Sequence, residues 1–181
     1  AKYWFEQIAG VPVEIDIASE FRYRKPALTK KTIAIFVSQS GETADTLAAL
    51  RHVKNHVAGT IAVVNVPTSS IAREADVALP LHAGPEIGVA STKAFTAQLL
   101  VLALLSLKAG IDRELLDAES CSQHIATLQT APGYVAQALD REDDYKRIAE
   151  TLAGHGDVLF LGRGMMYPLA LEAAHKLKEI R

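Results

Sequence analysis

The hydrophobic pattern of the chain alternates between two periods from residue 33 to residue 107. Residues 33–37 form an uninterrupted, β-branched apolar run, as expected of a strand buried on both faces of a parallel sheet. Leucines then recur on one face of a helical segment at 44–50. The alternation continues with a strand at 60–66, a short helix to Glu74 that Ser69 or Ser70 caps, a strand at 76–81 and a long apolar helix at 92–107. This order predicts βαβ units with right-handed crossovers, and hence an α/β fold with a parallel sheet flanked by helices.

The pattern on either side of this region predicts mainly helix. An N-terminal helix ends at Gly10, and the alternating apolar residues at 13, 15 and 17 predict a strand at a sheet edge. The stretch 111–150 is predicted to be helical, with interruptions at Pro132 and Gly133. A new strand at 157–162 and a last helix at 167–181 indicate that a second α/β unit begins near the end of the chain.

The composition limits the classes of partner. The 181 residues carry a formal net charge of -2 and no basic run, which argues against a nucleic acid or an anionic membrane surface. The most apolar segment, residues 99–107, is too short to span a bilayer. A single cysteine, Cys121, excludes an internal disulfide and fits a reducing cytoplasm. The expected partner is therefore a small molecule.

A cluster of small polar residues follows the strand at 33–37. Ser38, Gln39, Ser40, Gly41 and Thr43 lie where this strand turns into a helix. Such a turn directs free backbone amides and the positive end of the helix dipole at one place, which suits a phosphate. Serine and threonine are also preferred helix caps, so capping is the simpler alternative. Three hydroxyls and one amide exceed what a cap needs, which favours phosphate.

Two further segments carry candidate chemistry. Ser91 follows a predicted strand end and either caps the long apolar helix or contacts the same ligand. Glu172, Lys176 and Glu179 share one face of the last helix, and this spacing alone favours a surface salt-bridge ladder. His175 and Glu179 have the spacing of a metal pair, but no third ligand is indicated, so neither a metal nor a cofactor is predicted.

Three separate motifs resemble one enzyme family. S-Q-S-G-E-T-A-D-T-L, G-V-A-S-T-K-A-F-T and L-G-R-G-x-x-Y-P-x-A-L-E-x-A-x-K-L-K-E-I, together with A-S-E-F-R-Y-R-K, closely resemble the isomerase part of the glucosamine-6-phosphate synthases. These enzymes are glutamine:fructose-6-phosphate aminotransferases built on sugar isomerase (SIS) domains. The resemblance runs over essentially the whole chain. It implies an SIS-type, doubly wound and flavodoxin-like parallel sheet, present here as a fragment of a tandem pair.

The resemblance also implies roles for individual residues. The positions that hold the sugar phosphate match Ser38, Gln39, Ser40 and Thr43, and those that contact the sugar match Val89 and Ser91. From the second domain, the positions matching Lys176 and Glu179 line the same site, and the glutamate moves a proton between C1 and C2 of the sugar. A glutamate base needs a raised pKa, which partial burial supplies and a nearby Lys176 counters.

The same resemblance predicts the domain organisation. Residues 1–116 correspond to a first SIS domain without its first strand and loop, 117–150 to a helical connector, and 151–181 to a truncated second SIS domain. The glutaminase domain, the ring-opening histidine and the Schiff-base lysine of the family are missing, so we expect the 181 residues alone to be inactive. The family suggests a cytoplasmic homodimer that binds fructose 6-phosphate and glucosamine 6-phosphate.

Two alternative functions remain open on the sequence. One is a non-catalytic SIS module that senses a sugar phosphate, and the other is a glutamine-independent aldose-ketose isomerase or deaminase. Lys176 and Glu179 on one helix face disfavour a pure sensor, because binding alone needs no proton shuttle.

Overall fold

A computed structural model describes residues 1–88 and 90–180 of the chain. The chain divides into two compact units, Ala1–Leu115 and Leu116–Arg181. The elements of the first unit are α1 (Lys2–Ala9), α2 (Ala18–Phe21), β1 (Ile33–Ser38), α3 (Ala44–Val53), β2 (Gly59–Val64), α4 (Ser70–Glu74), β3 (Val77–Pro80) and α5 (Lys93–Asp112). The elements of the second unit are α6 (Ala118–Gln129), α7 (Ala131–Leu139), α8 (Glu142–Ala153) and α9 (Met166–Glu179).

The three strands of the first unit form one parallel sheet in the order β1-β2-β3. Ser38, Val64 and Pro80 are aligned across the sheet at the carboxyl ends of the strands. The parallel direction brings the loops after all three strands to the same edge, where ligands of such sheets bind. The predicted parallel α/β architecture is therefore confirmed.

Both faces of the sheet are covered. On one face, Phe36 and Ala62 pack with Leu50 of α3 and Ile71 of α4. On the other face, Val63 packs with Leu81 and Ala94, and helix α5 contributes partly buried side chains to this second core. Residues 62–64 of the central strand are fully buried because helices lie on both sides of them.

Two predicted strands are absent from the described residues. The segment 11–17 has no regular structure, and Ile15 and Ile17 are 69% and 70% exposed. The segment 157–162 of the second unit also forms no strand, with Leu159 more than four-fifths exposed. Both predictions are wrong here because an alternating or apolar pattern becomes a strand only where a neighbouring strand satisfies its backbone hydrogen bonds.

The predicted helical stretch 111–150 is mainly helical, but its interruptions lie at residues 113–117, 130 and 140–141. Helix α6 ends at Gln129, and Thr130 stands between α6 and α7. Pro132 lies in the first turn of α7, where its missing N–H would have no intrahelical partner. Gly133 continues that helix. The division of the chain into domains at residues 116 and 150 stays a prediction.

Helix α5 is longer than the predicted helix at 92–107. It has 20 residues, and an 18-residue window within it has a mean hydropathy of 1.8, so length and composition alone would allow it to cross a membrane. In this structure, however, the helix packs against α1 and supplies Ala94, Ala97 and Val101 to the core beneath the sheet. Packing of this kind is typical of a core helix in an α/β domain.

The buried Thr60 hydroxyl links the starts of β2 and β3 by hydrogen bonds to Asp76, and its removal should destabilise the first unit. The Thr60 amide and hydroxyl both donate to the Asp76 carboxylate at 2.8 Å, and the Thr60 hydroxyl accepts from the Asp76 amide at 2.9 Å. We expect Thr60→Val to lower the free energy of unfolding by about 1–3 kcal/mol, because the Asp76 amide loses its acceptor. Urea denaturation would measure this, with Thr96→Val on the exposed side of α5 as a control that changes stability by less than about 0.5 kcal/mol.

The same pair predicts a pH dependence. Hydrogen bonds from the Thr60 hydroxyl, and then from its amide, hold the pKa of Asp76 below its ordinary value. A depressed carboxyl pKa contributes stability above the ordinary Asp range, and this contribution is lost as the pH falls through the folded-state pKa. The difference in stability between wild type and Thr60→Val should therefore shrink on acidification below about pH 4. A difference that stays constant with pH would contradict this assignment.

Candidate functional site

The loop between β1 and α3 spans residues 38–43 and is called the 38–43 loop below. The Ser38 hydroxyl lies 3.0 Å from the Thr43 hydroxyl, and it accepts a hydrogen bond of 3.1 Å from the Gly41 amide. Gly41 has a φ of 68°, which residues with a side chain rarely adopt. A tight glycine turn therefore holds two hydroxyls together at the carboxyl end of β1.

The hydroxyls of this loop do not cap the following helix. Thr43 occupies the N-cap position of α3, but its side chain makes no capping hydrogen bond. The Ser40 hydroxyl instead accepts from the Glu42 amide at 3.2 Å, within the loop. The N-terminus of α3 is consequently left without a side-chain cap beside the hydroxyl pair, an arrangement that suits an anion.

An ion pair neutralises the acidic residue at the start of α3. Asp45 lies in the first turn, where its charge opposes the binding of an anion. The Arg22 guanidinium lies 2.6 Å from the Asp45 carboxylate, and this hydrogen bond raises the pKa of Arg22. The arginine comes from the E-F-R-Y-R-K stretch, so that stretch offsets the negative charge of Asp45 at the start of α3.

An open cleft of about 470 Å³ lies over the carboxyl ends of the three strands. It is lined by Gln39 of the 38–43 loop, by Asn65 after β2 and by His82 after β3, among others. The Asn65 side chain accepts from the Ala83 amide at 3.0 Å and donates to the Gly84 carbonyl at 2.7 Å. Asn65 thereby ties the loop after β2 to the loop after β3 and keeps the cleft open between them.

Ser91 is held by a neighbouring carboxylate. Its hydroxyl donates to Glu86 at 3.4 Å, and the Thr92 hydroxyl donates to the same carboxylate at 3.2 Å. The Ala94 amide also donates to Glu86, at 3.0 Å, and is the largest cause of the lowered pKa of Glu86. Ser91 does not cap α5, because the helix begins at Lys93, Thr92 occupies the N-cap position, and Glu86 accepts from the Ala94 amide in the first turn.

The acidic and basic residues of α9 form one cluster in the second unit. The Lys176 ammonium lies 2.9 Å from the Glu179 carboxylate and 3.4 Å from the Glu172 carboxylate. His175 approaches the other oxygen of Glu179 at 3.6 Å. Within residues 1–88 and 90–180, no group of three or more His, Cys, Asp or Glu side chains is placed to hold a metal ion.

Lys176 stabilises the ionised form of Glu179. The hydrogen bond from Lys176 lowers the pKa of Glu179 from its ordinary value, and the charges of Lys176 and His175 add to this effect. In turn, Glu179 raises the pKa of Lys176. The raised pKa that a glutamate base was expected to need is therefore absent in this structure, and Glu179 is ionised at neutral pH, in the form that accepts a proton.

The structure places the predicted site residues in three groups. Ser38, Gln39, Ser40 and Thr43 lie together in the 38–43 loop, and Ser91 lies after the loop that follows β3. Val89 lies outside the described residues. Lys176 and Glu179 lie in the second unit, where they contact each other.

Sequence reasoning missed residues that shape the same loops. Asn65 directly follows β2, whereas the predicted strand at 60–66 included it, and a polar residue near the end of that apolar run was a usable signal. Glu86 and Glu42 offered no such signal, because the sequence around each glutamate does not indicate which backbone amide its carboxylate will bind. The Glu42 carboxylate accepts from the Ser70 amide, 28 residues further along the chain, at 2.7 Å.

Comparisons with known proteins agree with this geometry. The SIS domain family model matches residues 1–108. The isomerizing glutamine–fructose-6-phosphate aminotransferase of Bradyrhizobium diazoefficiens is 57% identical over 180 residues, which are 99% of this chain and 30% of that relative. The corresponding protein of Mesorhizobium japonicum is 54% identical, with the same coverage. The chain therefore spans about 30% of the length of these curated relatives.

A solved structure resembles nearly the whole chain. The C-terminal domain of glucosamine-fructose-6-phosphate aminotransferase from Francisella tularensis aligns with a TM-score of 0.96 and 43% identity, covering 99% of this chain and 51% of that one. This likeness extends over the parallel sheet, the 38–43 loop and the helices of the second unit. Together with a family match over more than half of its residues, it means that this chain belongs to the SIS domain family.

Proposed function

We propose that this chain is the isomerase part of a glutamine-dependent fructose-6-phosphate aminotransferase. In this reaction, fructose 6-phosphate and ammonia released from glutamine give glucosamine 6-phosphate. The observation that carries the proposal is the 38–43 loop, in which the Ser38 and Thr43 hydroxyls lie 3.0 Å apart beside the uncapped N-terminus of α3. The relatives that bear this enzyme name support the choice of substrate.

The 38–43 loop binds the phosphate of the sugar. Ser38, Ser40 and Thr43 supply hydroxyl donors, Gln39 supplies an amide, and the first amides of α3 add the positive end of the helix dipole. The sugar then extends over the cleft at the carboxyl ends of the strands. There Val89 and Ser91 contact its hydroxyl groups. The phosphate is remote from the reacting carbons, so its binding energy orients them.

Glu179 moves the proton and Lys176 controls when it does so. Ammonia adds to C2 of the open-chain ketone and water leaves, which gives an imine. The carboxylate then takes a proton from C1 and returns it to C2, and as the C1 hydroxyl proton passes to nitrogen, C1 becomes the aldehyde of the amino aldose. Before substrate binds, Lys176 occupies the carboxylate and lowers its pKa. A substrate hydroxyl that engages Lys176 frees Glu179 and raises its basicity.

The rest of the catalytic apparatus belongs to other segments. We propose that the full-length protein contains a glutaminase domain, acts as a homodimer in the cytoplasm, and continues the second SIS domain that begins near residue 151. We therefore expect that the 181 residues alone do not catalyse the reaction of fructose 6-phosphate with glutamine. Formation of glucosamine 6-phosphate by this chain alone, from fructose 6-phosphate and glutamine, would contradict this part of the proposal.

Removal of both loop hydroxyls tests the phosphate site. In the intact protein that contains this chain, fructose 6-phosphate at a hundredfold excess over Kd should stabilise the wild type by about 2.7 kcal/mol and raise Tm by a few degrees. We expect Ser38→Ala combined with Thr43→Ala to weaken binding at least about a hundredfold, because each charge-assisted hydrogen bond contributes about 1.5–3 kcal/mol. Thermal denaturation with and without the sugar phosphate measures both effects.

The matched control removes two hydroxyls that belong to the second unit and not to the 38–43 loop. The Ser122 and Thr127 hydroxyls of α6 donate only to backbone carbonyls of their own helix. Ser122→Ala combined with Thr127→Ala should keep the wild-type shift in Tm. If the sugar phosphate still raises Tm after the loop substitutions, the 38–43 loop is not part of the phosphate site. Turnover of fructose 6-phosphate without glutamine would favour the glutamine-independent isomerase.

A further inference from the structure

We propose that Glu42 is a positioning residue that fastens the 38–43 loop to the start of α4 and so fixes the phosphate-binding hydroxyls in place. The inference rests on the proposed function and deepens it. None of the residues assigned to the phosphate in the preceding sections is Glu42, although it lies between Ser40 and Thr43. Its exposed side chain also rules out a role in core packing.

The Glu42 carboxylate reaches across to a different element. It accepts a hydrogen bond of 2.7 Å from the backbone amide of Ser70, the first residue of α4. This contact joins the loop after β1 to the loop after β2. A carboxylate that accepts from the free amide of a helix start makes a strong, directional hydrogen bond.

Two backbone hydrogen bonds join the same pair of loops. The Ile71 amide donates to the Gly41 carbonyl, and the Asn65 amide donates to the Gln39 carbonyl, each at 3.0 Å. The 38–43 loop is thus attached at positions 39, 41 and 42 to the segment 65–71. Glu42 supplies the only side chain among these three attachments, so it is the one that a substitution can remove.

The hydrogen bond to Ser70 also determines where the negative charge of the Glu42 carboxylate lies. An unattached carboxylate between Ser40 and Thr43 would repel the phosphate of the substrate. The Ser70 amide engages it at α4 instead and holds the pKa of Glu42 below its ordinary value, with a smaller contribution from Arg73. Glu42 therefore stabilises the loop without placing its charge in the anion site.

The space beside the loop shows how closely the two segments fit. Ser69 is 1% exposed, and its hydroxyl has no hydrogen-bond partner within the part of the chain that the structure describes. A Cβ atom at Gly41 would lie 2.0 Å from that hydroxyl. Release of the Glu42 attachment would let the loop move away from Ser69 and would separate the hydroxyls that bind the phosphate.

The experiment removes the hydrogen bond from each side in the intact protein. Glu42→Ala deletes the acceptor. Ser70→Pro deletes the donor amide at the first position of α4, where proline is favoured, and the preceding Ser69 has a φ of -68° and a ψ of 162° that suit a residue before proline. We expect each substitution to raise the Kd for fructose 6-phosphate about tenfold. The double variant should also show about a tenfold increase, because both changes remove one interaction.

Two further variants separate positioning from general stability. Glu42→Gln keeps an oxygen that accepts from the Ser70 amide, so its Kd should stay within about threefold of wild type. Glu74→Ala breaks the ion pair with Arg51 at the other end of the same helix and should leave Kd within about twofold. A structural role alone would lower Tm in Glu42→Ala and Glu74→Ala alike without a selective change in Kd.

The outcomes distinguish this inference from the proposed function. An unchanged Kd in Glu42→Ala, or a hundredfold increase in the double variant, would overturn the positioning role while the phosphate site remains. If Ser70→Pro fails to fold, Glu42→Ala with recovery in Glu42→Gln still decides the question. Wild-type protein that does not bind fructose 6-phosphate would overturn both the proposed function and the role of Glu42.

Discussion

Replacement of Gly41 by alanine should unfold the 38–43 loop and abolish binding of the sugar phosphate. Two independent costs add at this position. The φ of 68° puts any residue with a side chain in the left-handed region, at about 1–2 kcal/mol. The new Cβ would also lie 2.0 Å from the Ser69 hydroxyl and 2.5 Å from its Cβ, so a buried neighbour must move. We expect a loss in unfolding free energy of about 3 kcal/mol or more, measured by urea denaturation.

Other glycines and Ser69 provide controls that separate the two costs. Gly84 has a φ of 69° but has open space around its Cβ position, so Gly84→Ala measures the backbone strain alone. Gly133 lies inside α7 with open space, and Gly133→Ala should stabilise by about 0.5–1 kcal/mol. Adding Ser69→Gly to Gly41→Ala should recover the part of the loss that the clash causes. Equal losses in Gly41→Ala and Gly84→Ala would show that Ser69 does not restrict the loop.

Replacement of Glu179 by glutamine should abolish catalysis and spare binding. Glutamine keeps the size of the side chain but accepts no proton at neutral pH. General base catalysis contributes about 10²–10⁴-fold to rate, so we expect kcat to fall by that factor in the intact enzyme. The Kd for fructose 6-phosphate should change little, because the hydroxyls that we propose bind the phosphate lie on the 38–43 loop. Assays of glucosamine 6-phosphate formation, together with calorimetric binding, measure the two effects separately.

The pH profile tests the role of Lys176. Its hydrogen bond and charge lower the pKa of Glu179 in the free protein, so Lys176→Met should raise that pKa and move the acidic limb of kcat/KM, which reports the free enzyme, to higher pH. Glu172 contacts Lys176 from the other side at 3.4 Å, and Glu172→Gln leaves the hydrogen bond to Glu179 in place. This control should keep the wild-type acidic limb. Substantial turnover by Glu179→Gln, or an acidic limb that Lys176→Met does not move, would assign the proton transfer to another group.

Prediction from the sequence succeeded where local structure depends on residues that are adjacent in the sequence. The apolar run at 33–37 became β1, which begins at the predicted residue and extends one residue further to Ser38, and Gly10 ends α1 with a φ of 58°. The strands predicted at 13–17 and 157–162 are absent, because a strand needs a partner strand and the local pattern cannot report whether one is present. Helix α5 was predicted to end five residues early, since its C-terminal turn is less apolar than its centre.

The candidate site shows the same distinction. The sequence by itself determined which chemistry is available, because the hydroxyls of Ser38 and Thr43, the turn at Gly41 and the helix that follows are contiguous in the chain. Only the tertiary structure decided how that chemistry is arranged. The Thr43 hydroxyl bonds Ser38 instead of capping α3, and the Glu42 carboxylate reaches the Ser70 amide on another element. The hydrogen bond between Glu42 and Ser70, which are distant in sequence, arises from the packing of parallel strands, which brings separate loops to one edge of the sheet.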